Sequence, residues 1–147
     1  MDGSGGEYLI VPGGGSRMPA SAESIDKREH FIKQDGKTVF KYAVKGMADV
    51  SEKILSRNNL TGKDISLFIP HQANKRIIDS AANRCGISEK KVLINIDKYG
   101  NTTAGTIPIA INEAVRDNRI KDGDYILLAS FGAGFTWGSV LIKWESS

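Results

Sequence analysis

The stretch ISLFIPHQANKRII, Ile65–Ile78, changes its period halfway along. Its first half gathers Ile65, Leu67, Phe68 and Ile69 into a short apolar run that Pro70 closes, because proline has no N–H to give to a ladder. Ser66–Ile69 therefore reads as a buried strand. Its second half moves in steps of three and four. Asn74–Cys85 is helical by pattern, with Ile77, Ile78, Ala81 and Ala82 facing inward and Gly86 as the left-handed terminator. A strand that runs directly into a helix is the opening of a βαβ unit.

Working outward, the same alternation recurs. Upstream, Val39, Phe40, Ala43, Val44, Met47, Val50, Ile54 and Leu55 form one apolar stripe, which predicts a helix from about Thr38 to Asn58. Asp35-Gly36 is a turn signal before it, and residues 16–30 show no sustained periodicity. EYLIV (Glu7–Val11) reads as a short strand ended by Gly13–Gly15. Downstream, VLINI (Val92–Ile96) reads as a buried strand, YGNTTAG opens a helix from about Ala104 to Asn118, and RIKDGDYILLASF gives the next strand. After the glycine-rich turn Phe131–Phe135, TWGSVLIKW alternates like a strand returning antiparallel. The pattern predicts an α/β fold: a mixed, mostly parallel five-stranded sheet with helices packed against it, in a single domain over residues 1–147.

The totals narrow the function classes. A 40% hydrophobic and 25% charged composition is ordinary for a soluble domain, and no apolar run approaches the roughly 18 residues of a membrane span. The opening MDGSGGEYLIVPGGG has neither a basic flank before an apolar stretch nor a cleavage pattern, so the cytoplasm is the expected location. A net charge of +3, without a basic run interleaved with aromatics, gives no support for nucleic-acid binding. Cys85 is alone and cannot form an internal disulfide. His30, His71 and that distant cysteine have no ligand spacing, so no metal is expected.

Three loops follow three of the strands: PHQANKR, YGNTTAG and FGAGF. Sites in open α/β sheets form outside the carboxyl ends of strands, so these loops are expected to converge. His71 reads either as a hydrogen-bonded structural histidine or as a group pointing into a cleft toward developing negative charge. Asn101 reads either as a turn residue bonding local backbone or, if Thr102 or Thr103 caps the helix, as an amide free to donate outward. Gly132–Gly134 is either a tight turn or a place where a substrate approaches backbone N–H groups, as an oxyanion hole requires. A dinucleotide fingerprint fails here, because a strand-like segment and not a helix follows the glycines.

IPHQANKRII, NIDKYGNTTAGTIPIAI and ILLASFGAGFTWGSVLIKW together resemble, in order, the three carboxyl-half signatures of the β-ketoacyl-[acyl carrier protein] synthase III family, condensing enzymes of the thiolase fold. The likeness runs from about Gly6 to Trp144. It implies a thiolase-like half whose His71 and Asn101 are the catalytic histidine and asparagine. The third catalytic group of the family is a cysteine of the amino-terminal half, which this chain does not contain, and Cys85 lies too far along its helix to replace it.

The resemblance further implies an acyltransferase of fatty acid biosynthesis that uses acyl-coenzyme A and malonyl-[acyl carrier protein] as substrates, needs no bound cofactor, and is a homodimer. His71 and Asn101 would stabilise a thioester enolate, the Ala133 N–H would receive the acyl-transfer oxyanion, and Phe131 would form an apolar wall. Gln72, Ala73, Asn74, Lys75 and Arg76 would bind carrier protein or coenzyme A; for Lys75 and Arg76 a solvated helix face is the plain alternative. Ala133 replaces a glycine of some relatives, which a backbone donor tolerates. The expected partners are the cysteine-bearing half, acyl carrier protein and coenzyme A thioesters. A starter-unit condensing enzyme of secondary metabolism and a non-catalytic binding or dimerising half are the alternatives.

Overall fold

The computed structural model describes residues 1–145; Ser146 and Ser147, the end of the expected domain, lie outside the described residues. The chain forms two compact units.

The first unit comprises residues 1–42 and 132–136. Its EYLIV strand is trimmed to β1 (Leu9–Ile10). A five-residue helix, α1 (Ala22–Asp26), falls in the segment without periodicity; it is too short to show one, and Ser21 and Ser24 nucleate it as a reciprocal capping box. β2 (Lys33–Gln34) pairs antiparallel with β1, so EYLIV belongs to a separate two-stranded ribbon and not to the main sheet. Asp35 then opens α2 (Gly36–Arg57), two residues earlier than the stripe predicts, because its carboxylate accepts from the N–H groups of Lys37 and Thr38.

Among the described residues, the second unit comprises 43–131 and 137–145. Along α2, Ala43, Met47, Ala48, Ser51 and Leu55 are buried. The helix ends with Asn59 at φ 57° and the Leu60 N–H donating to Leu55 O, which returns the chain toward β3 (Leu67–Pro70). All four β3 residues are buried, as a strand covered on both faces must be. α3 (Lys75–Arg84) follows, and Gly86 at φ 68° ends it with Ile87 N–H donating to Ala82 O, the predicted left-handed stop.

VLINI departs from expectation. Val92 makes a single parallel bridge to Phe68, Leu93 N–H donates to Phe68 O, and the chain then turns at Asn95 into the short α4 (Ile96–Tyr99). Its apolar side chains are wanted by the core whether or not they pair as a strand. A 3₁₀ turn at Thr103–Gly105 leads into α5 (Thr106–Arg116). β4 (Tyr125–Gly132) lies parallel to β3 with Leu67 opposite Ile126 and Pro70 opposite Ala129. β5 (Thr136–Lys143) completes the order β3-β4-β5, and the three-residue connection from β4 is long enough only for an antiparallel return. Among the described residues the main sheet thus has three strands and one flanking bridge. Leu67, Ile69, Leu93, Ala110, Ala114, Ile120 and Ile126 form the core between this sheet and α5. On α2, a Cβ at Gly46 would lie 3.2 Å from the Trp137 ring of β5, so the helix approaches β5 as closely as glycine permits. No helix among the described residues is long and apolar enough to cross a membrane.

Candidate functional site

His71 follows Pro70 at the end of β3, and its N–H extends the ladder by donating to Ala129 O at 2.8 Å. The side chain is half-buried. Its Nδ1 lies 2.6 Å from Thr106 Oγ1 on α5, and desolvation lowers the imidazole pKa below its ordinary 6.5. Burial therefore favours the neutral ring.

Gln72 is fully buried. Its Nε2 donates to Pro70 O at 2.8 Å and to Leu93 O at 3.2 Å, and its Oε1 accepts from Asn95 N–H at 3.0 Å. An amide with every polar atom engaged inside the protein cannot also meet a docking partner, so Gln72 is a strut between the His71 loop and residues 93–95. The strut continues: Asn95 Nδ2 donates to Glu113 Oε2 at 2.6 Å, and Tyr99 Oη donates to Glu113 Oε1 at 2.8 Å. These two hydrogen bonds hold the Glu113 carboxyl below its ordinary range.

Ala73, Asn74, Lys75 and Arg76 are exposed. Asn74 caps α3, its Oδ1 accepting from Arg76 N–H at 2.9 Å, and Lys75 pairs with Asp79 at 2.7 Å.

On the second loop, neither Thr102 nor Thr103 caps a helix with its side chain. Asn101 instead bonds the local backbone: its Oδ1 accepts from Thr103 N–H at 2.9 Å. The local-turn reading of Asn101 thus holds for its oxygen. With the oxygen committed, the Nδ2 group is what the side chain presents elsewhere, and it can only donate. Thr103 carries the connection onward, because its carbonyl accepts from the Thr106 backbone N–H and lies 3.0 Å from Thr106 Oγ1, which in turn meets His71 Nδ1. His71 and Asn101 are therefore tied into one frame through two threonines.

Thr106 is the residue that sequence reasoning missed. It is 3% exposed and falls in phase with buried Ala110 and Ala114, and a hydroxyl on a buried stripe requires a partner; that phase was the available signal.

Phe131, near the end of β4, is buried and stacks on Trp137 with ring centroids 6.3 Å apart and planes 6° from parallel. The Gly132–Thr136 turn belongs to the first unit. There Ala133 is exposed and its carbonyl accepts from Thr136 Oγ1 at 3.0 Å. Cys85, at the end of α3, is buried beside Ala48 O, and burial pushes its thiol up to about 11, which leaves almost no thiolate at neutral pH. Among the described residues, no group of three or more His, Cys, Asp or Glu side chains could hold a metal ion.

A family model described as the 3-oxoacyl-[acyl-carrier-protein (ACP)] synthase III C terminal matches residues 55–144. The chain is 56% identical, over 144 residues, to the β-ketoacyl-[acyl-carrier-protein] synthase III of Koribacter versatilis, covering 98% of this chain and 43% of that protein. The crystal structure of 3-oxoacyl-[acyl-carrier-protein] synthase III from Aquifex aeolicus is 38% identical with a TM-score of 0.83, covering 97% of this chain and 42% of that one. The synthase III structure from Thermus thermophilus is also 38% identical, with a TM-score of 0.84 over 99% of this chain and 44% of that one. The chain spans less than half the length of each.

Proposed function

The chain belongs to the family of 3-oxoacyl-[acyl-carrier-protein] synthase III carboxyl-terminal domains and has their thiolase-like α/β fold, and on that premise we propose that it supplies two catalytic groups of a β-ketoacyl-[acyl-carrier-protein] synthase III. The enzyme would condense an acyl-coenzyme A starter with malonyl-[acyl carrier protein] to initiate fatty acid synthesis in the cytoplasm, as a homodimer. The observation that carries this reading is the hydrogen-bonded frame joining His71 to Asn101 through Thr106 and Thr103.

In this reading the acyl group passes from the sulfur of coenzyme A to a cysteine outside this chain, since Cys85 is buried and protonated. The carbon–carbon bond to the malonyl carboxylate then breaks, carbon dioxide leaves, and the electron pair stays as a thioester enolate. Two neutral donors, His71 Nε2–H and Asn101 Nδ2–H, stabilise the enolate oxygen without the reorganisation that water would require. The enolate carbon attacks the acyl carbonyl, and the cysteine thiolate departs. Loss of one such donor costs about 3–4 kcal/mol in the barrier. The Ala133 N–H is the proposed donor to the acyl-transfer oxyanion, and Phe131 the apolar wall. Ala73, Asn74, Lys75 and Arg76 are the proposed contacts to carrier protein and coenzyme A, with Gln72 supporting them from beneath. Lys75 and Arg76 suit acidic or phosphate partners.

The test combines this chain with a cysteine-bearing amino-terminal half and measures carbon dioxide release from malonyl-[acyl carrier protein]. His71→Ala and Asn101→Ala are each expected to lower release at least about 100-fold while the cysteine still takes an acetyl group. Release that survives both substitutions, or an acetyl group found on Cys85 by intact-mass spectrometry, defeats the reading and favours a non-catalytic half.

A further inference from the structure

Thr106 has one hydroxyl hydrogen and two neighbours that want it. Thr103 O is 3.0 Å from Oγ1 and His71 Nδ1 is 2.6 Å from it. A hydroxyl donates once, so the direction it chooses fixes the state of the ring. If it donates to Thr103 O, a neutral His71 must carry its hydrogen on Nδ1, and Nε2 is left as a bare acceptor. If it donates to Nδ1, the ring hydrogen is on Nε2. Only the second arrangement lets a neutral imidazole donate to an anionic oxygen.

The two acceptors are not in equal need. Thr103 O already receives the backbone N–H of Thr106 in the 3₁₀ turn, so it remains satisfied without the hydroxyl. His71 Nδ1 has Thr106 as its hydrogen-bond partner among the described residues, and it is the shorter contact. Thr106 itself is buried at the first turn of α5, where water does not compete for its hydroxyl. We propose that the Thr106 hydroxyl donates to His71 Nδ1 and thereby holds the neutral ring with its hydrogen on Nε2, making Thr106 a positioning residue for enolate stabilisation. The proposal rests on the function proposed above for His71. Moving between the two arrangements changes no net charge: the ring gives a proton to water at Nδ1 and takes one from water at Nε2, while the hydroxyl rotates.

The consequence parallels the role of a carboxylate behind a catalytic histidine, where a wrong tautomer costs roughly 10⁴-fold. A neutral hydroxyl biases the ring less strongly, so a smaller loss is expected. In the full-length synthase, Thr106→Val removes the hydroxyl at constant shape. Carbon dioxide release from malonyl-[acyl carrier protein] should fall about 10- to 100-fold in kcat with little change in KM, acetyl transfer from coenzyme A should be unaffected, and Thr106→Ser should recover most of the rate. Nitrogen-15 NMR of the ring supplies a readout that a merely structural residue would not move: His71 should show a protonated Nε2 in the unsubstituted protein and a mixture of tautomers in Thr106→Val. The unsubstituted protein alone decides the matter if the valine variant fails to fold, because a hydrogen found on Nδ1 overturns the proposal. So does Thr106→Val with full decarboxylation. Should His71→Ala retain release, the function assigned to His71 fails instead, and the two failures are separable.

Discussion

The His71 loop and the Gly132–Thr136 turn each carry a proposed hydrogen-bond donor, yet they are anchored by opposite means. The His71 loop is held by direction. Gln72, with no exposure, makes three hydrogen bonds to main-chain groups, and Thr106 reaches the imidazole from α5. The turn is held by volume and main chain. Phe135, also fully buried, stacks against Tyr8 at 6.2 Å and meets the tilted ring of Tyr42 at 5.1 Å, and Asp2 exchanges backbone hydrogen bonds with Phe135 in both directions. Gly5 lies so close that a Cβ there would come 2.1 Å from the Phe135 ring. The difference teaches what each donor demands. A side-chain donor needs a particular atom aimed, which takes oriented polar partners; a backbone donor needs only its loop kept in place, which aromatic packing accomplishes.

Removing volume from the turn is the severest way to break this contrast. Phe135→Ala empties a fully buried ring site between two tyrosines and should cost about 3–5 kcal/mol by urea denaturation. A loss below about 1 kcal/mol would mean that the main-chain pairing with Asp2 holds the turn alone. Removing direction from the His71 loop comes next. Gln72→Leu keeps the volume but deprives buried Asn95 N–H of its acceptor, and should cost about 2–3 kcal/mol. The leucine variant should also lower decarboxylation in the assembled enzyme. If a side chain of equal size is tolerated there, the loop is held by packing after all and the two anchors are alike.

Much of this was legible because it is local. The stripe of α2, the strand before Pro70, the helix after it and the left-handed Gly86 all follow from neighbours within a few residues, where periodicity and backbone conformation act. His71 and Asn101 were legible as candidates for the same reason, each following a strand-like run at the opening of a helix. Partners distant in sequence were not legible. Gln72 looks like a surface amide until Leu93 and Asn95, more than 20 positions away, are seen to use every polar atom it has. Asn101 looked free to donate because two threonines stood ready to cap, and the backbone chose the asparagine instead. VLINI illustrates a different limit: apolarity reports burial, and burial does not require a ladder.

The mildest test sharpens the contrast through protons, since a directional anchor depends on protonation and a packed one does not. Burial lowers the His71 pKa below the 6.5 expected of the unfolded chain, so between the two values the unfolded state binds more protons than the folded state. Stability from keeping this ring neutral is therefore fully present above about pH 6.5, and it is lost as pH falls toward the folded pKa. Protonation also adds a hydrogen at Nδ1, which then faces the hydroxyl of Thr106 as a second donor and forces it to rotate toward Thr103 O. His71→Gln removes the titration. Denaturation midpoints of the two proteins, followed from pH 7.5 to 5, should run parallel at the upper end, with the unsubstituted protein losing more stability than His71→Gln toward the lower. Parallel profiles throughout would mean that the imidazole titrates as freely in the folded protein as in water, and a ring so well solvated would have no need of Thr106 to hold it.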